Sequence, residues 1–106
     1  MNFRGGMGEL MRQAGRIQRK VEKRREELKE ETFEASAGND KVTAVANGVP
    51  ELTEVRIDPA LLQEEDFEMV QDLVVAASNA ALTKAREHVD AEIEKITGGL
   101  SIPGIG

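Results

Sequence analysis

The residues able to do chemistry are few, and most are badly placed for it. His88 is the sole histidine and the chain contains no cysteine. Thiol nucleophiles, thiolate metal sites and disulfides are therefore excluded, and a metal would need several converging ligands that one imidazole cannot supply. The 3.6-residue pattern around His88 places Lys84 and Glu92 one turn away, as on a solvated helix face. The acidic runs Glu26-Glu27 and Glu64-Glu65-Asp66 read as charged helix ends rather than acid–base pairs. Gly5-Gly6 and Gly98-Gly99 lack the Lys-Ser/Thr that completes a phosphate loop. The sequence thus predicts no catalytic residue, no metal and no cofactor.

One cluster does carry chemistry. Arg12, Arg16, Arg19, Lys20, Lys23, Arg24 and Arg25 are interrupted by a single acid, Glu22. At about 100° per residue, Arg12, Arg16, Arg19 and Lys23 form one stripe with Lys20 beside it. That stripe rises about 16 Å, enough to follow several phosphates along a strand. A mixed-charge face would read as ordinary solvation, but seven cations against one acid favour a polyanion. No aromatic residue interleaves the cations, so stacking on single-strand bases is not expected. Gln13 and Gln18 lie off the stripe, so backbone contact with weak sequence reading is what these residues support. The alternative is an adaptor whose basic helix holds an acidic repair or replication protein.

The elements that position this cluster follow from periodicity. Met7, Leu10, Ala14, Ile17, Val21 and Leu28 keep a heptad seam in which Arg24 takes an apolar position. The stripe lies opposite that seam, on a helical arm expected over about 8–31, preceded by a mobile glycine-rich start. A helix of that length runs about 36 Å, longer than a three-stranded sheet covers. Three short strands follow, over 32–37, from Val42 to Asn47-Gly48, and over about 51–57, with Gly38-Asn39-Asp40 as turn residues. Short connections predict an antiparallel meander. A second long helix spans about 66–97, opened by Asp58 or by Glu64-Glu65-Asp66, and residues 98–106 form a tail. Its run Ala76-Ala77-Ser78-Asn79-Ala80-Ala81 would let another backbone approach closely, which together with the long seam predicts a homodimer. The fold class is α+β, with α-β-β-β-α order in a single domain over 1–106.

Charge is divided unevenly along this plan. Residues 1–29 hold nine Lys and Arg against four Glu, while the remaining 77 hold five against sixteen acids, giving the net −6. Local field rather than net charge decides where a polyanion docks. The longest apolar run, Leu73 to Ala77, falls far short of the ~20 residues needed to cross a bilayer. No membrane partner, no small-molecule substrate and a cytoplasmic location are expected.

Five segments, in order, resemble the YbaB/EbfC nucleoid-associated proteins. They are Gly5-Gly6 before Leu10-Met11-Arg12-Gln13-Ala14; Val42 through Asn47-Gly48; Val55 through Leu62; Asp72 through Ala77 with Asn79-Ala80-Ala81; and Thr97-Gly98-Gly99-Leu100 with Pro103-Gly104. Ala80 stands where that family usually has Asp. The resemblance implies an α-β-β-β-α protomer paired into a dimer whose first helices project like tweezer arms. It also implies binding of double-stranded DNA at the nucleoid, in nucleoid organisation or gene regulation.

Overall fold

The computed structural model describes residues 3–64 and 66–99. In chain order it contains α1 (Phe3–Lys29), β1 (Thr32–Ala37), β2 (Val42–Asn47), β3 (Leu52–Ile57), α2 (Pro59–Glu64) and α3 (Phe67–Thr97). The expected α-β-β-β-α order holds, with the one-and-a-half-turn helix α2 added before α3.

The sheet is an antiparallel meander in the order β1-β2-β3. Gly38, Asn39 and Asp40 turn the first hairpin with φ of 64°, 55° and 65°. Gly, Asn and Asp are the residues that enter this left-handed region at least cost. The second connection is organised by Asn47, whose Oδ1 accepts from the backbone N–H groups of Val49 and Glu51 at 3.0 and 2.9 Å.

The core lies between this sheet and α3. Val42, Ala44 and Ala46 alternate along β2 and are fully buried, as are Ala77, Ala81 and Ala85 at four-residue spacing on α3. Small side chains on both surfaces let the helix lie close to the strands, and Phe33, Leu61 and Val70 close the rim. The close approach predicted for the alanine run is therefore made to the protein's own sheet, and Ala77 and Ala81 present nothing to a second chain.

Both candidate starts for the second helix are used. Asp58 Oδ1 accepts from Ala60 N–H at 3.0 Å and opens α2. Asp66, in extended conformation, accepts from Met69 N–H at 2.7 Å and opens α3. Gly98, at φ 65°, ends α3 by donating its N–H to Glu94 at 2.7 Å.

The first helix departs most from expectation. It begins at Phe3, taking in Gly5, Gly6 and Gly8, and stops at Lys29 rather than at residue 31. Glycine weakens a helix by roughly 1 kcal/mol per residue but does not forbid it. Residues 1–2 and 100–106, also expected to be mobile, lie outside the described residues. Only the C-terminal half of α1 packs. Val21 and Leu28 are buried, whereas Met7, Leu10 and Met11 are 62%, 63% and 73% exposed. Contacts between residues 24 and 92 and between 31 and 88 show that α1 and α3 run antiparallel. With α3 ending at Thr97, the first half of α1 continues past it as an arm. The protein consequently measures 76 × 19 × 18 Å, with a radius of gyration of 20.3 Å against about 13 Å for a compact chain of this length.

Candidate nucleic-acid interface

The arm carries the cation stripe on open surface. Arg12, Arg16, Arg19, Lys20, Lys23 and Arg25 are all exposed. Helical geometry puts Arg12, Arg16, Arg19 and Lys23 in line with Lys20 alongside, and Arg25 on the other side of α1. Arg19, Lys20, Lys23 and Arg25 have no ion pair among the described residues. Near the tip, Glu9 pairs with Arg12 at 2.9 Å and with Arg16 at 3.5 Å. The hydrogen bond from Arg12, then that from Arg16, lowers the Glu9 pKa below its ordinary value. Sequence reading passed over Glu9; its spacing of three and seven residues from the two arginines was the available signal.

Arg24 is placed differently from the rest. Its side chain is 27% exposed and turns onto α3, where Nη2 donates to Glu92 Oε1 at 2.6 Å. Nη1 lies 3.4 Å from Glu31 and 3.5 Å from Glu27. The Glu92 bond, chiefly, raises the guanidinium pKa above its usual value. The apparent interruption of the heptad seam is thus an ion pair between two helices, at the point where the arm leaves the body.

His88 also departs from its expected setting. Its ring lies 5.1 Å from that of Phe33, and Nε2 is shut off from solvent without a hydrogen-bond partner, 3.6 Å from Glu31 Oε1. The side chain is still 41% exposed, so His88 is a helix-face histidine with one ring edge covered and the rest in solvent. Periodicity placed it correctly on its helix but could not show that Phe33 and Glu31 would cover it. Among the described residues, no three His, Asp or Glu converge on a possible metal site.

Two cations of the body, Arg56 and Lys84, have partners of their own. Arg56 bridges Glu54 at 2.8 Å and Glu34 at 3.2 Å, and Lys84 donates to the Glu34 carbonyl at 3.0 Å. A second surface lies at the opposite end from the arm. It is an open apolar groove of about 530 Å³ lined by Ile57, Leu62, Phe67, Val70, Gln71, Val74 and Val75. Leu62, Phe67 and Val75 are 56%, 73% and 59% exposed. Adjacent Val74 and Val75, too broad an apolar arc for one buried face, were the sequence signal for it.

The sequence model of the YbaB/EbfC DNA-binding family matches residues 3–100, which takes in the arm, the sheet and all of α3. The chain belongs to the YbaB/EbfC DNA-binding family. It is 52% identical over 104 residues to a nucleoid-associated protein of Acetivibrio thermocellus, covering 97% of this chain and 92% of that protein. It is 45% identical to a nucleoid-associated protein of Myxococcus xanthus, with 91% of each chain covered. The fold is similar to the crystal structure of an uncharacterized protein from Helicobacter pylori, with a TM-score of 0.59 and 22% identity over 78% of this chain and 92% of that one. In this YbaB/EbfC chain, the arm and the groove are both exposed surfaces outside the core. Among the described residues, no helix is long and apolar enough to cross a membrane.

Proposed function

We propose that this protein is a non-enzymatic, nucleoid-associated homodimer that grips duplex DNA by its phosphates. The observation that carries the reading is the line of exposed cations, Arg12, Arg16, Arg19 and Lys23 with Lys20 alongside, on an arm standing clear of an acidic body. Such a line follows a phosphate backbone, while the absence of Asn or Gln along it leaves sequence preference weak. Arg25 adds a second, off-axis phosphate contact, and Arg24 serves by holding the arm. A role in nucleoid organisation or gene regulation in the cytoplasm follows from broad, sequence-tolerant binding.

The homodimer reading rests on the groove. An apolar surface running from Leu62 and Phe67 to Val75, together with exposed Leu52 and Val55 on edge strand β3, calls for a cover. A second copy meeting it there leaves both arms free.

The test is a gel-shift series on random and AT-rich duplexes at several salt concentrations. Changing Arg12, Arg16, Arg19 and Lys23 together to Ala should weaken binding to both duplexes by similar factors. The slope of log affinity against log salt should shrink by roughly 0.9 for each phosphate left without its cation. A helical, correctly assembled variant that binds as before with an unchanged slope rejects the stripe as the DNA surface. The acidic-protein alternative would then account better for the arm.

A further inference from the structure

On the overhanging part of the arm, the stripe cations Arg12, Arg16 and Arg19 occupy one side. On the opposite side Met7, Leu10, Ala14 and Ile17 continue the seam that packs on α3 through Val21 and Leu28, with Met11 at its edge. Beyond the end of α3 Met7, Leu10 and Met11 are each more than 60% exposed and Ala14 is exposed, while Ile17, nearest the body, is partly covered.

We propose that this stripe pairs antiparallel with the same stripe of a second copy, and that the paired arms bridge two DNA duplexes. Three features select that occupant. First, steps of three and four residues are the spacing of a seam made for another helix, not for a flat surface. Second, the rim in this part of the arm is neutral, with Gln13 on one flank and Gln18 on the other. The stripe of Arg12, Arg16, Arg19 and Lys23 points about 170° away by helical geometry. A second arm therefore meets no like charge here, while DNA or an acidic protein finds no line of cations. Third, the stripe is self-complementary about a point beside Ala14. Leu10 of one arm falls against Ile17 of the other, and the small Ala14 lets the helices meet at the axis.

The consequence for DNA rests on the phosphate-binding reading above. Two arms joined through their apolar sides carry their cation stripes outward in opposite directions, so one duplex can lie on each side. A contact this short is weak alone and gains strength when several copies lie along the same duplex.

Two experiments separate this inference from the reading beneath it. The chain has no native cysteine, so single thiols report arm proximity without DNA. Ala14→Cys should form interchain disulfides about tenfold faster than Arg16→Cys on the opposite face, because the bond requires Cβ atoms about 4 Å apart. Equal rates overturn arm pairing, whether or not DNA binds. In the second experiment a bead-tethered duplex captures a labelled free duplex through the protein. The triple variant Met7→Ser, Leu10→Ser, Met11→Ser should keep single-duplex affinity and salt slope yet lose most of the capture, by about fivefold or more for a contact this dependent on multivalency. Undiminished capture overturns bridging through the stripe. A parallel loss of single-duplex affinity makes DNA the occupant of the apolar face and also overturns it. If the unaltered protein binds no duplex at all, the phosphate reading fails, while the disulfide rates still decide whether the arms pair.

Discussion

Arg24 of α1 and Glu92 of α3 meet at 2.6 Å with side chains only 27% and 16% exposed, and the arm diverges from the body just beyond them. The second Glu92 oxygen accepts from Lys95, also at 2.6 Å. The Lys95 and Arg24 hydrogen bonds together lower the Glu92 pKa to about 2 from an ordinary 4.5. A carboxyl depressed in the folded state stabilises fully above its unfolded pKa and ceases to do so as pH falls through the folded one. Glu92→Gln should therefore melt at a lower temperature than the unaltered protein at pH 7. The gap should close between about pH 4.5 and pH 2, where Glu92 itself becomes protonated. Circular-dichroism melts of both proteins across that range check this, and a gap that persists undiminished at the acid end contradicts it.

Gly48 fixes the other end of α1. A Cβ placed there would lie 2.1 Å from the Leu28 carbonyl oxygen and 2.7 Å from its carbon. That neighbour is backbone and cannot swing aside, so the helix end would have to move away. Gly48→Ala should cost about 1–3 kcal/mol, the range for overpacking. Gly6→Ala is the contrast, because nothing lies within 4 Å of its added Cβ. In a helix interior that change should stabilise by up to about 1 kcal/mol. Urea denaturation of both variants measures the two signs.

The strands were legible because β-structure announces itself over six residues. Thr32 to Ala37 matches its predicted range, and β3 begins only one residue late. The pattern of the helices showed which residues share a face but not what the face would meet. In the alanine run of α3, which looked ready for a second chain, Ala77 and Ala81 join Ala44 and Ala46 in the protein's own core, while Ala76 and Ala80 remain exposed. The cation stripe is a local property of one helix, so it was read directly. The roles of Arg24 and His88 depend on Glu92, Glu31 and Phe33, all brought in by the packing of distant segments. The early start of α1 was missed because three glycines in four positions read as a loop, whereas the structure carries the helix through them.

The alanine packing predicts sharp selectivity between neighbouring positions. Ala81 is fully buried against the sheet and Ala80 is exposed. Ala81→Leu should force α3 off β2 and cost about 1–3 kcal/mol, while Ala80→Leu should stay within about 0.5 kcal/mol. Similar denaturation midpoints for the two would mean that α3 does not lie on the sheet as described.

Duplex binding should separate the two kinds of arginine on the arm. Arg19 is exposed in the stripe and Arg24 is clamped to Glu92. If Arg19 meets a phosphate, Arg19→Ala should lower affinity and reduce the salt slope by about 0.9 for each arm engaged. If Arg24 acts by orienting the arm, Arg24→Ala should lower affinity while leaving the slope nearly unchanged, because the same counterions are still released. Glu92→Gln supplies the decisive sign. Removing a carboxylate from a DNA-binding protein ordinarily strengthens binding by reducing repulsion. Here it should weaken binding, since it loosens the clamp that sets the arm's direction. Arg24→Ala combined with Glu92→Gln should lose little more affinity than either change alone, the non-additivity that a double-mutant cycle finds for two residues that act through each other. Tighter binding by Glu92→Gln, with a reduced slope for Arg24→Ala, would instead make Arg24 a phosphate contact, and the arm would then be held by Val21 and Leu28 alone.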